Sequence, residues 1–514
     1  MSAEDLNLYS HFQKQFAAHA DKELLCTEKN ASYCYADIDR QSARFATLLT
    51  EVGVKPGDRI SVQVEKSPEA LSLYLASLRG GFVFQPLNTA FRATELEYFL
   101  GDAEPMVVVC DPARQGKIRQ LSEAVGVKRL LTLDAEGQGT LIAESESASE
   151  EFENVPSSRD DLAALLYSSG TTGVPKGIML TYGNLLSNTE ALVDAWGFTE
   201  DDRLLHALPI FHVHGLFVAI GCALLSGASM RWLAAFDAGR VIEHLPECTV
   251  MMGVPTYYTR LLDRDHFSAD VCRAIRVFIS GSAPLRQETF SEFESRTGHR
   301  ILERYGMTET NMNTSNPLNG PRKPGTVGLP LPGVEIRITD DEGETLPSSE
   351  IGNLQVRGPN VFIGYWRMPD KAAADFTRDG YFNTGDLGRI DDDGYISIVG
   401  RSRDIVITGG LNVYPKEVEL FLDRLPDVKE SAVIGVPHWD FGEAVVAVVV
   451  PNDGASPAED DIIRSAKQNL ANYRVPKRVV FVDDLPRNAM AKVQKSSLRE
   501  TYKGLFTRRP WRQP

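Results

Sequence analysis

Residues 162–177 are LAALLYSSGTTGVPKG, an apolar run followed by a loop in which hydroxyl residues and glycines surround one lysine. The apolar run predicts a buried strand, and the glycines let backbone N–H groups approach an anion. Hydroxyl groups donate hydrogen bonds to such an anion, and Lys176 adds a compact positive charge. The segment therefore predicts a phosphate-binding loop. It is not a Walker A loop, because Pro175 and Gly177 replace the glycine and the Mg²⁺-binding hydroxyl residue of that motif.

Short apolar runs alternate with amphipathic stretches on both sides of this loop. RISVQV (59–64), PEALSLYLASLRGG (68–81) and VFQPLN (83–88) predict a strand, a helix and a strand. RVFIS (276–280) predicts another strand, and GSAPLRQETFSEFESRTG (281–298) predicts a helix that Ser282 caps and a glycine ends. This alternation is typical of layered α/β domains with parallel sheets.

The pattern changes after about residue 325. VEIRITDDEGETL (334–346) and IGNLQVRG (351–358) alternate around turns and predict a small β subdomain. YPKEVELFLDRL (414–425) then predicts a helix within a compact α+β unit. We therefore expect a large α/β domain of layered α/β subdomains plus the β subdomain, followed by a small C-terminal α+β domain. The predicted bounds are 1–400 for the large domain, 401–404 for a hinge and 405–514 for the small domain.

Composition restricts the class of protein. Lys and Arg number 54 against 70 Asp and Glu, a formal charge of −16, which argues against nucleic acid or an anionic membrane as partner. Hydrophobic residues make up 43% and charged residues 24%, as in ordinary globular enzymes. Six cysteines without a C-x-x-C pair, and no visible secretory signal, predict a cytoplasmic protein. The oligomeric state is left open.

Four further segments follow the loop in a fixed order, and with it they carry a resemblance. They are YGMTET (305–310), YFNTGD (381–386), GRSRDIVITGGLNVYPKEVE (400–419) and PRNAMAKVQK (486–495). Together the five motifs resemble those of the adenylate-forming superfamily of acyl-CoA synthetases, peptide-synthetase adenylation domains and luciferases. The resemblance covers essentially the whole chain. One departure is Ala491, where the family usually has glycine before its catalytic lysine.

The resemblance implies ATP, Mg²⁺ and coenzyme A as ligands, and it implies three catalytic residues. Lys492 would bridge the carboxylate and the α-phosphate as negative charge accumulates between them. Glu309 would bind Mg²⁺, and Lys176 would contact the phosphates. Tyr305 would lie against adenine, and Asp386 would accept hydrogen bonds from the ribose hydroxyls. The full implied ATP-binding set is Ser168, Ser169, Gly170, Thr171, Thr172, Gly173, Lys176, Gly281, Ser282, Ala283, Glu303, Tyr305, Gly306, Met307, Thr308, Asp386, Arg401 and Lys492.

The resemblance also implies a movable C-terminal domain. Lys492 is needed for adenylation but would obstruct the thiol in the second step, so in the family the small domain rotates between the half-reactions. The implied hinge residues are Ser402, Arg403 and Asp404. The implied coenzyme A segment consists of Thr408, Gly409, Gly410 and Leu411, whose glycines allow close passage of the pantetheine chain.

Two arginines indicate which acid is activated. Arg304 directly precedes YGMTET, where the family commonly has a small residue, and Arg260 follows a turn that lines the acyl pocket in the family. A buried unpaired guanidinium is costly, and a second carboxylate on the substrate would offset that cost. Ser282 and His212 could add neutral donors, and Met312 could keep the pocket short. The segments that contain these residues resemble those of the malonyl-CoA synthetases within the superfamily. Enzymes of that kind also accept methylmalonate.

Several alternatives stay open. Other short-chain, oxalate or aromatic acyl-CoA synthetases share the motifs, as do adenylation enzymes that load a carrier protein. A non-catalytic nucleotide-binding scaffold is disfavoured, because Lys492, Glu309 and Lys176 are all present. Arg260 could instead pair with a surface acid, and Arg304 with ATP phosphate or a structural carboxylate. His212 and His214 form an H-x-H pair without a clustered third metal ligand.

Overall fold

The computed structural model describes residues 5–168, 175–409, 411–488 and 492–506. The chain forms two compact units: unit 1 contains residues 1–336 and 356–382, and unit 2 contains residues 337–355 and 383–514. In the described part of the chain, no helix combines the length and the apolar character needed to cross a bilayer. The predicted hinge at residues 401–404 stays a prediction.

Unit 1 holds the α/β layers that the alternating pattern predicts. Its helices are α1 (Leu8–Ala18), α2 (Tyr35–Glu51), α3 (Pro68–Arg79), α4 (Ala93–Ala103), α5 (Gln115–Ala124), α6 (Thr140–Ser145), α7 (Tyr182–Trp196), α8 (Ile220–Ser226), α9 (Ala238–His244), α10 (Pro255–Leu262), α11 (Gln287–Thr297) and α12 (Pro369–Asp375). Its strands are β1 (Glu23–Thr27), β2 (Ser32–Cys34), β3 (Arg59–Gln63), β4 (Val83–Pro86), β5 (Val107–Cys110), β6 (Arg129–Thr132), β7 (Leu162–Ser168), β8 (Lys176–Thr181), β9 (Arg203–His206), β10 (Ser229–Trp232), β11 (Val250–Gly253), β12 (Val277–Ser280), β13 (Leu302–Met307), β14 (Asn311–Ser315) and β15 (Leu329–Pro330). A π-helical segment, His214–Ala219, leads directly into α8.

Two sheets order these strands. The larger has the order β15-β14-β13-β12-β11-β9-β10-β1-β2, and the smaller has the order β6-β5-β3-β4-β7-β8. Pairing is parallel from β13 through β1 in the first sheet and from β6 through β7 in the second, with antiparallel strands only at edges. Crossover helices cover such parallel sheets, which explains the near-continuous apolar strands of the sequence. The α/β fold class is confirmed.

Unit 2 contains the smaller sheets. Its elements are β16 (Glu335–Thr339), β17 (Gly352–Arg357), β18 (Phe382–Ile390), β19 (Ile396–Arg401), β20 (Val406–Thr408), β21 (Leu411–Val413), α13 (Pro415–Leu422), β22 (Val428–His438), β23 (Gly442–Pro451), α14 (Glu459–Asn469), β24 (Arg478–Phe481) and α15 (Lys495–Tyr502), with β16, β17 and β18 starting or ending at the boundary with unit 1. Strand β23 has buried valines on both faces: Val445 belongs to one core cluster and Val446 to the other. The predicted small C-terminal α+β domain is confirmed, and its sheet has core clusters on both faces.

The helix predicted after the strand 276–280 needs a correction. Helix α11 begins at Gln287 and ends at a left-handed Gly298, so its end is as predicted and its start is not. Ser282 lies four residues before the N-cap and has a φ of 69°, whereas an N-cap residue takes an extended conformation. Ser282 is therefore a loop residue rather than a helix cap.

Candidate active site

The carboxyl ends of neighbouring parallel strands bring the predicted acid-binding residues together. Strands β11 and β12 end at Gly253 and Ser280, and Arg304 lies on the next strand, β13. Open α/β sheets bind ligands at this edge, because the loops that leave the strands meet there. Gly281 and Ser282 follow β12 directly, so they lie at the same edge.

Arg304 is buried, with 3% of its surface exposed. Its guanidinium lies against the backbone of Gly281, where an added Cβ would come within 2.5 Å of Cζ, so a side chain at this position would displace the guanidinium. Among the described residues, Nε and Nη2 of Arg304 find no hydrogen-bond acceptor. Burial lowers the pKa of Arg304, yet a guanidinium stays charged at neutral pH. A buried cation with unused donors is suited to bind an anion.

Two histidines and a serine surround this guanidinium with neutral groups. Burial and the charge of Arg304 lower the pKa of His212 to about 4, and the same causes hold the pKa of His214 well below its usual value. Ser282 Oγ lies 3.4 Å from His214 Nδ1. Nε2 of His214 has no partner within the described ranges. We call Arg304, His212, His214 and Ser282 the acid cluster; it carries one net positive charge at neutral pH.

Met312 lies on β14, opposite Gly306 of β13, and its backbone is held by a side chain of α7. Asn188 of α7 donates from Nδ2 to Met312 O at 2.8 Å, and Met312 N–H donates to Asn188 Oδ1 at 3.2 Å. The methyl group of Met312 packs on Gly306, where an added Cβ would lie 2.6 Å from it. Met312 is 2% exposed, so it is suited to close a pocket.

Arg260 lies in the last turn of α10, and its side chain is exposed. Its charge acts on Tyr257, where it opposes the rise in pKa that burial causes. The structure thus gives Arg260 a surface position, while Arg304 is buried in the acid cluster. A role for Arg260 in acid binding stays a prediction.

The predicted phosphate loop has well-defined stems. Tyr167 pairs with Gly177 and Ser168 with Lys176 in the antiparallel β7–β8 pair. Tyr98 donates from its hydroxyl to Pro175 O at 2.8 Å, which fixes the end of the loop. The predicted residues Ser169, Gly170, Thr171, Thr172 and Gly173 lie outside the described residues.

Lys176 and Glu309 both lie near the side chain of one tyrosine, Tyr365. The ammonium of Lys176 lies 4.7 Å from the centroid of the Tyr365 ring, a cation–π distance. Burial and the charge of Glu309 raise the pKa of Tyr365, which places the Glu309 carboxylate near the same side chain. Lys176 is buried and Glu309 is half-buried. Two of the three predicted catalytic residues are therefore neighbours in unit 1.

The predicted adenine segment follows Arg304 along β13. Tyr305, Gly306 and Met307 are half-buried, and the Tyr305 hydroxyl lies 3.9 Å from Met307 Sδ. Glu303 is buried and accepts a hydrogen bond from Leu285 N–H at 3.3 Å. The remaining residues predicted for ATP in this part of unit 1 are half-buried: Ala283 and Thr308.

In unit 2, the structure brings together the predicted ribose residues and the predicted catalytic lysine. Asp386 and Arg401 form a 2.7 Å ion pair between Oδ1 and Nε. Lys492 is exposed as a whole residue, but partial desolvation of its ammonium and the charge of Arg401 lower its pKa, whereas Asp386 opposes that change. Ala491 lies outside the described residues. The three side chains therefore interact electrostatically.

The predicted hinge and coenzyme A segments adjoin this group in sequence. Ser402–Asp404 form one turn of 3₁₀ helix, and Ser402 donates from Oγ to Gly385 O at 3.1 Å. Arg403 is exposed, and Asp404 pairs with Arg499. In the hairpin of β20 and β21, Thr408 is buried, Gly409 has a φ of 58° and Leu411 is half exposed. Gly410 lies outside the described residues.

Sequence analysis missed some residues of the acid cluster and its surroundings. His214 was visible only as half of an H-x-H pair, for which a metal role is unlikely without a third ligand. Asn188 gave no signal, because its partner Met312 lies 124 residues away. Contacts between residues so far apart in the sequence can be recognised only once the fold is known.

Comparisons with known proteins identify the family of the chain. The model of the AMP-binding enzyme family matches residues 12–366, and that of the AMP-binding enzyme C-terminal domain matches residues 417–492. The malonate–CoA ligase of Arabidopsis thaliana is 35% identical over 97% of this chain and 90% of its own. A feruloyl-CoA synthase from an Amycolatopsis species is 35% identical over 91% of this chain and 94% of its own. The crystal structure of ATP-bound MatB from Rhodopseudomonas palustris is 50% identical with a TM-score of 0.95, over 98% of this chain and 100% of that one.

Proposed function

Since the chain belongs to the AMP-binding enzyme family, we propose that it is an ATP-dependent malonyl-CoA synthetase that also accepts methylmalonate. One observation carries the choice of acid: the buried Arg304 guanidinium has donors with no acceptor among the described residues. A free carboxylate offers two oxygens to such a planar fork of donors. An aliphatic or aromatic acid would leave the charge buried and unpaired, at a cost of several kcal/mol.

The proposed reaction has two half-reactions. Malonate attacks the α-phosphate of ATP through one carboxylate oxygen, which gives malonyl-AMP and diphosphate. The thiol of coenzyme A then attacks the carbonyl carbon and releases AMP. Throughout, Arg304 binds the distal carboxylate, while neutral His212 and Ser282 add polar contacts without a second charge. Met312 limits the length of the acid, which suits a three-carbon substrate.

Unit 1 also handles the phosphates in this proposal. Lys176 contacts the phosphate oxygens, and Glu309 holds Mg²⁺ together with ATP. Mg²⁺ commonly takes one or two carboxylates from the protein and completes its shell with phosphate oxygens and water. The described ranges contain no group of three or more His, Cys, Asp or Glu side chains able to hold a metal. A half-buried Glu309 fits the one-carboxylate arrangement, in which the ion neutralises phosphate charge.

Lys492 of unit 2 acts in the first half-reaction only. It bridges the attacking carboxylate and the α-phosphate, where negative charge accumulates. The predicted small domain, residues 405–514, then turns about Ser402–Asp404 and presents Thr408–Leu411 to the pantetheine arm. Lys492 is exposed, as expected for a lysine that has to leave its substrate. A cytoplasmic location stays a prediction from composition.

The experiment is a panel of acids with purified protein, ATP, Mg²⁺ and coenzyme A. Malonate, methylmalonate, succinate, oxalate, propionate and ferulate are scored by AMP release and by thioester formation. We expect malonate to give the highest kcat/KM and propionate to be used poorly. A preference for ferulate or propionate would contradict the proposal. A carrier protein with a phosphopantetheine arm, tested against free coenzyme A, identifies a carrier-loading enzyme.

A further inference from the structure

Lys66 is a buried lysine whose hydrogen-bond acceptors are all neutral. It is 7% exposed, and its ammonium donates to His206 Nδ1 at 2.6 Å and to the carbonyl oxygens of His206 and Leu233 at 2.7 Å. Nζ also lies 4.3 Å from the centroid of the Trp232 ring. Lysines are seldom fully buried unless they are paired. Three acceptors match the three N–H bonds of an ammonium, whereas a neutral amine could donate only two.

This contact fixes the tautomer of His206. Its Nε2 lies 2.9 Å from Gly215 O, and a carbonyl only accepts, so Nε2 carries the hydrogen. Nδ1 is then the lone-pair nitrogen, which accepts from Lys66. The ring also stacks on Trp232, at 4.9 Å between centroids. Without Lys66, the hydrogen could move to Nδ1, and two lone pairs would then face each other at Gly215.

Gly215 connects this network to the acid cluster. It follows His214 directly, at the start of the π-helical segment. The chain is tight there: a Cβ on Gly215 would lie 2.1 Å from Pro209 O. The position of the Gly215 carbonyl therefore affects the orientation of the neighbouring His214 ring, whose Nδ1 faces Ser282. His206 also lies at the carboxyl end of β9, beside the strands that form the site.

We propose that Lys66 is a positioning residue for the acid pocket: it holds His206 as the Nε2–H tautomer, and His206 fixes Gly215 and hence His214 opposite Arg304. The inference rests on the proposed function, because it takes the acid cluster to be the substrate site. Burial lowers the pKa of His206, so the imidazole stays neutral, as this arrangement requires. Burial also lowers the pKa of Lys66, but three acceptors within 2.7 Å of Nζ favour the ammonium, because a neutral amine would direct its lone pair at one of them.

The test compares Lys66→Met, His206→Gln and His206→Asn. A glutamine amide reaches the Nε2 position and can donate to Gly215, whereas an asparagine amide reaches only the Nδ1 position. We expect Lys66→Met and His206→Asn to raise KM for malonate about tenfold, the scale of one lost hydrogen bond to a fixed group. His206→Gln should stay within about threefold of wild type, and KM for ATP should remain unchanged in all three.

The matched control is Arg79→Met. Arg79 is a buried cation of the same unit, 4.5 Å from the Tyr9 ring centroid and paired with Asp39. It should lower the melting temperature without changing KM for malonate. If Lys66→Met or His206→Asn only lowers the melting temperature or kcat, or if His206→Gln and His206→Asn behave alike, the positioning role is wrong. If wild-type protein does not use malonate, the proposed function fails, and the same comparison with its best acid still decides the role of Lys66.

Discussion

Asp386 and Arg401 face each other across the β18–β19 pair and form an ion pair, 2.7 Å from Oδ1 to Nε. Asp386 is buried, with 3% of its surface exposed. These two residues also act in opposite directions on the pKa of Lys492. The predicted ribose residues and the predicted catalytic lysine therefore interact electrostatically within unit 2. The role of Lys492 in catalysis can be tested separately, by replacing that residue alone.

Replacing Lys492 with alanine should separate the two half-reactions. We expect adenylate formation to fall by about 100-fold to 1000-fold, the usual effect of one lost transition-state donor. Thioester formation from preformed malonyl-AMP should be largely retained. Diphosphate release and single-turnover thioester formation are the measurements, with Lys495→Ala as a control lysine that pairs with Glu419 instead. Equal loss of both steps with the fold intact would contradict the alternating role of unit 2.

Proline at Asp404 should restrict the hinge. It fixes φ and removes a backbone N–H from the 3₁₀ turn at Ser402–Asp404. We expect slower overall turnover, with one half-reaction affected more than the other. Asp404→Asn is the control, because it keeps the backbone and removes only the carboxylate charge, which acts on Arg499 and on Lys492. Wild-type single-turnover rates for both steps in Asp404→Pro would place the hinge elsewhere.

Arg304→Ala tests which acid is bound. Removing one member of a buried charge pair costs about 3–5 kcal/mol, on the order of 100-fold to 1000-fold in kcat/KM for malonate. Propionate has no distal charge and should be used as well as before or better, so the malonate-to-propionate ratio should fall. Arg260→Ala should lower the ratio as well if this exposed arginine also binds the distal carboxylate, and an unchanged ratio would assign that role to Arg304 alone. A parallel loss for both acids with a higher KM for ATP would make Arg304 a phosphate ligand.

Asn188→Ala should weaken the support of Met312. The variant removes the side-chain acceptor of the Met312 N–H and one of the two donors to Met312 O, since Asn360 Nδ2 still donates to that oxygen at 3.2 Å. An unsatisfied buried polar group costs about 1–3 kcal/mol. We expect a lower free energy of unfolding and relatively better use of acids longer than malonate. Asn319→Ala is the exposed control. Unchanged selectivity in a destabilised Asn188→Ala would mean that Met312 does not set the pocket length.

Stability should fall as the pH drops below about 6.5, the usual pKa of histidine in an unfolded chain. Burial and Arg304 lower the folded-state pKa of His212 to about 4, so between these values the unfolded state binds more protons and is favoured. His212→Gln should reduce the slope by up to about 1.4 kcal/mol per pH unit. Denaturant unfolding at several pH values measures it, with the exposed His266→Gln as control. Equal slopes in both variants would contradict a neutral buried His212.

Local signals in the sequence predicted the fold well. Ser67 caps α3, Pro68 opens it and Gly80 ends it, all within the segment where the periodicity indicates a helix. The order of motifs indicated the nucleotide residues. Ser282 was assigned wrongly as a helix cap, because its sequence context fits a cap and its positive φ is set by packing at the strand end. Whether an arginine side chain is buried also cannot be predicted from the residue type alone, since Arg304 and Arg260 look equivalent in the sequence.

Long-range pairs set the remaining limit. Lys66 and His206 are 140 residues apart, and each occurs in a context where a surface residue is equally expected. Strand β9 belongs to the larger sheet and β3 to the smaller one, so this contact depends on how the two sheets of unit 1 pack together. Asn188 and Met312 depend on the fold in the same way. Residues that position the side chains of a pocket are thus harder to recognise in a sequence than the motifs that contact phosphate.

The π-helical segment at His214–Ala219 has a consequence for changing the acid that this chain accepts. A π-turn spans one residue more than an α-turn, so this segment contains one residue more than an α-helix of the same length would need. Deleting one residue there would convert the turn to α-helix with little rotation of the chain on either side, so the change would fall on the side chains of the segment itself. Natural length variants at this position would thus present different side chains to the same arginine. Insertions and deletions here, rather than point substitutions, offer a route to new acid specificities.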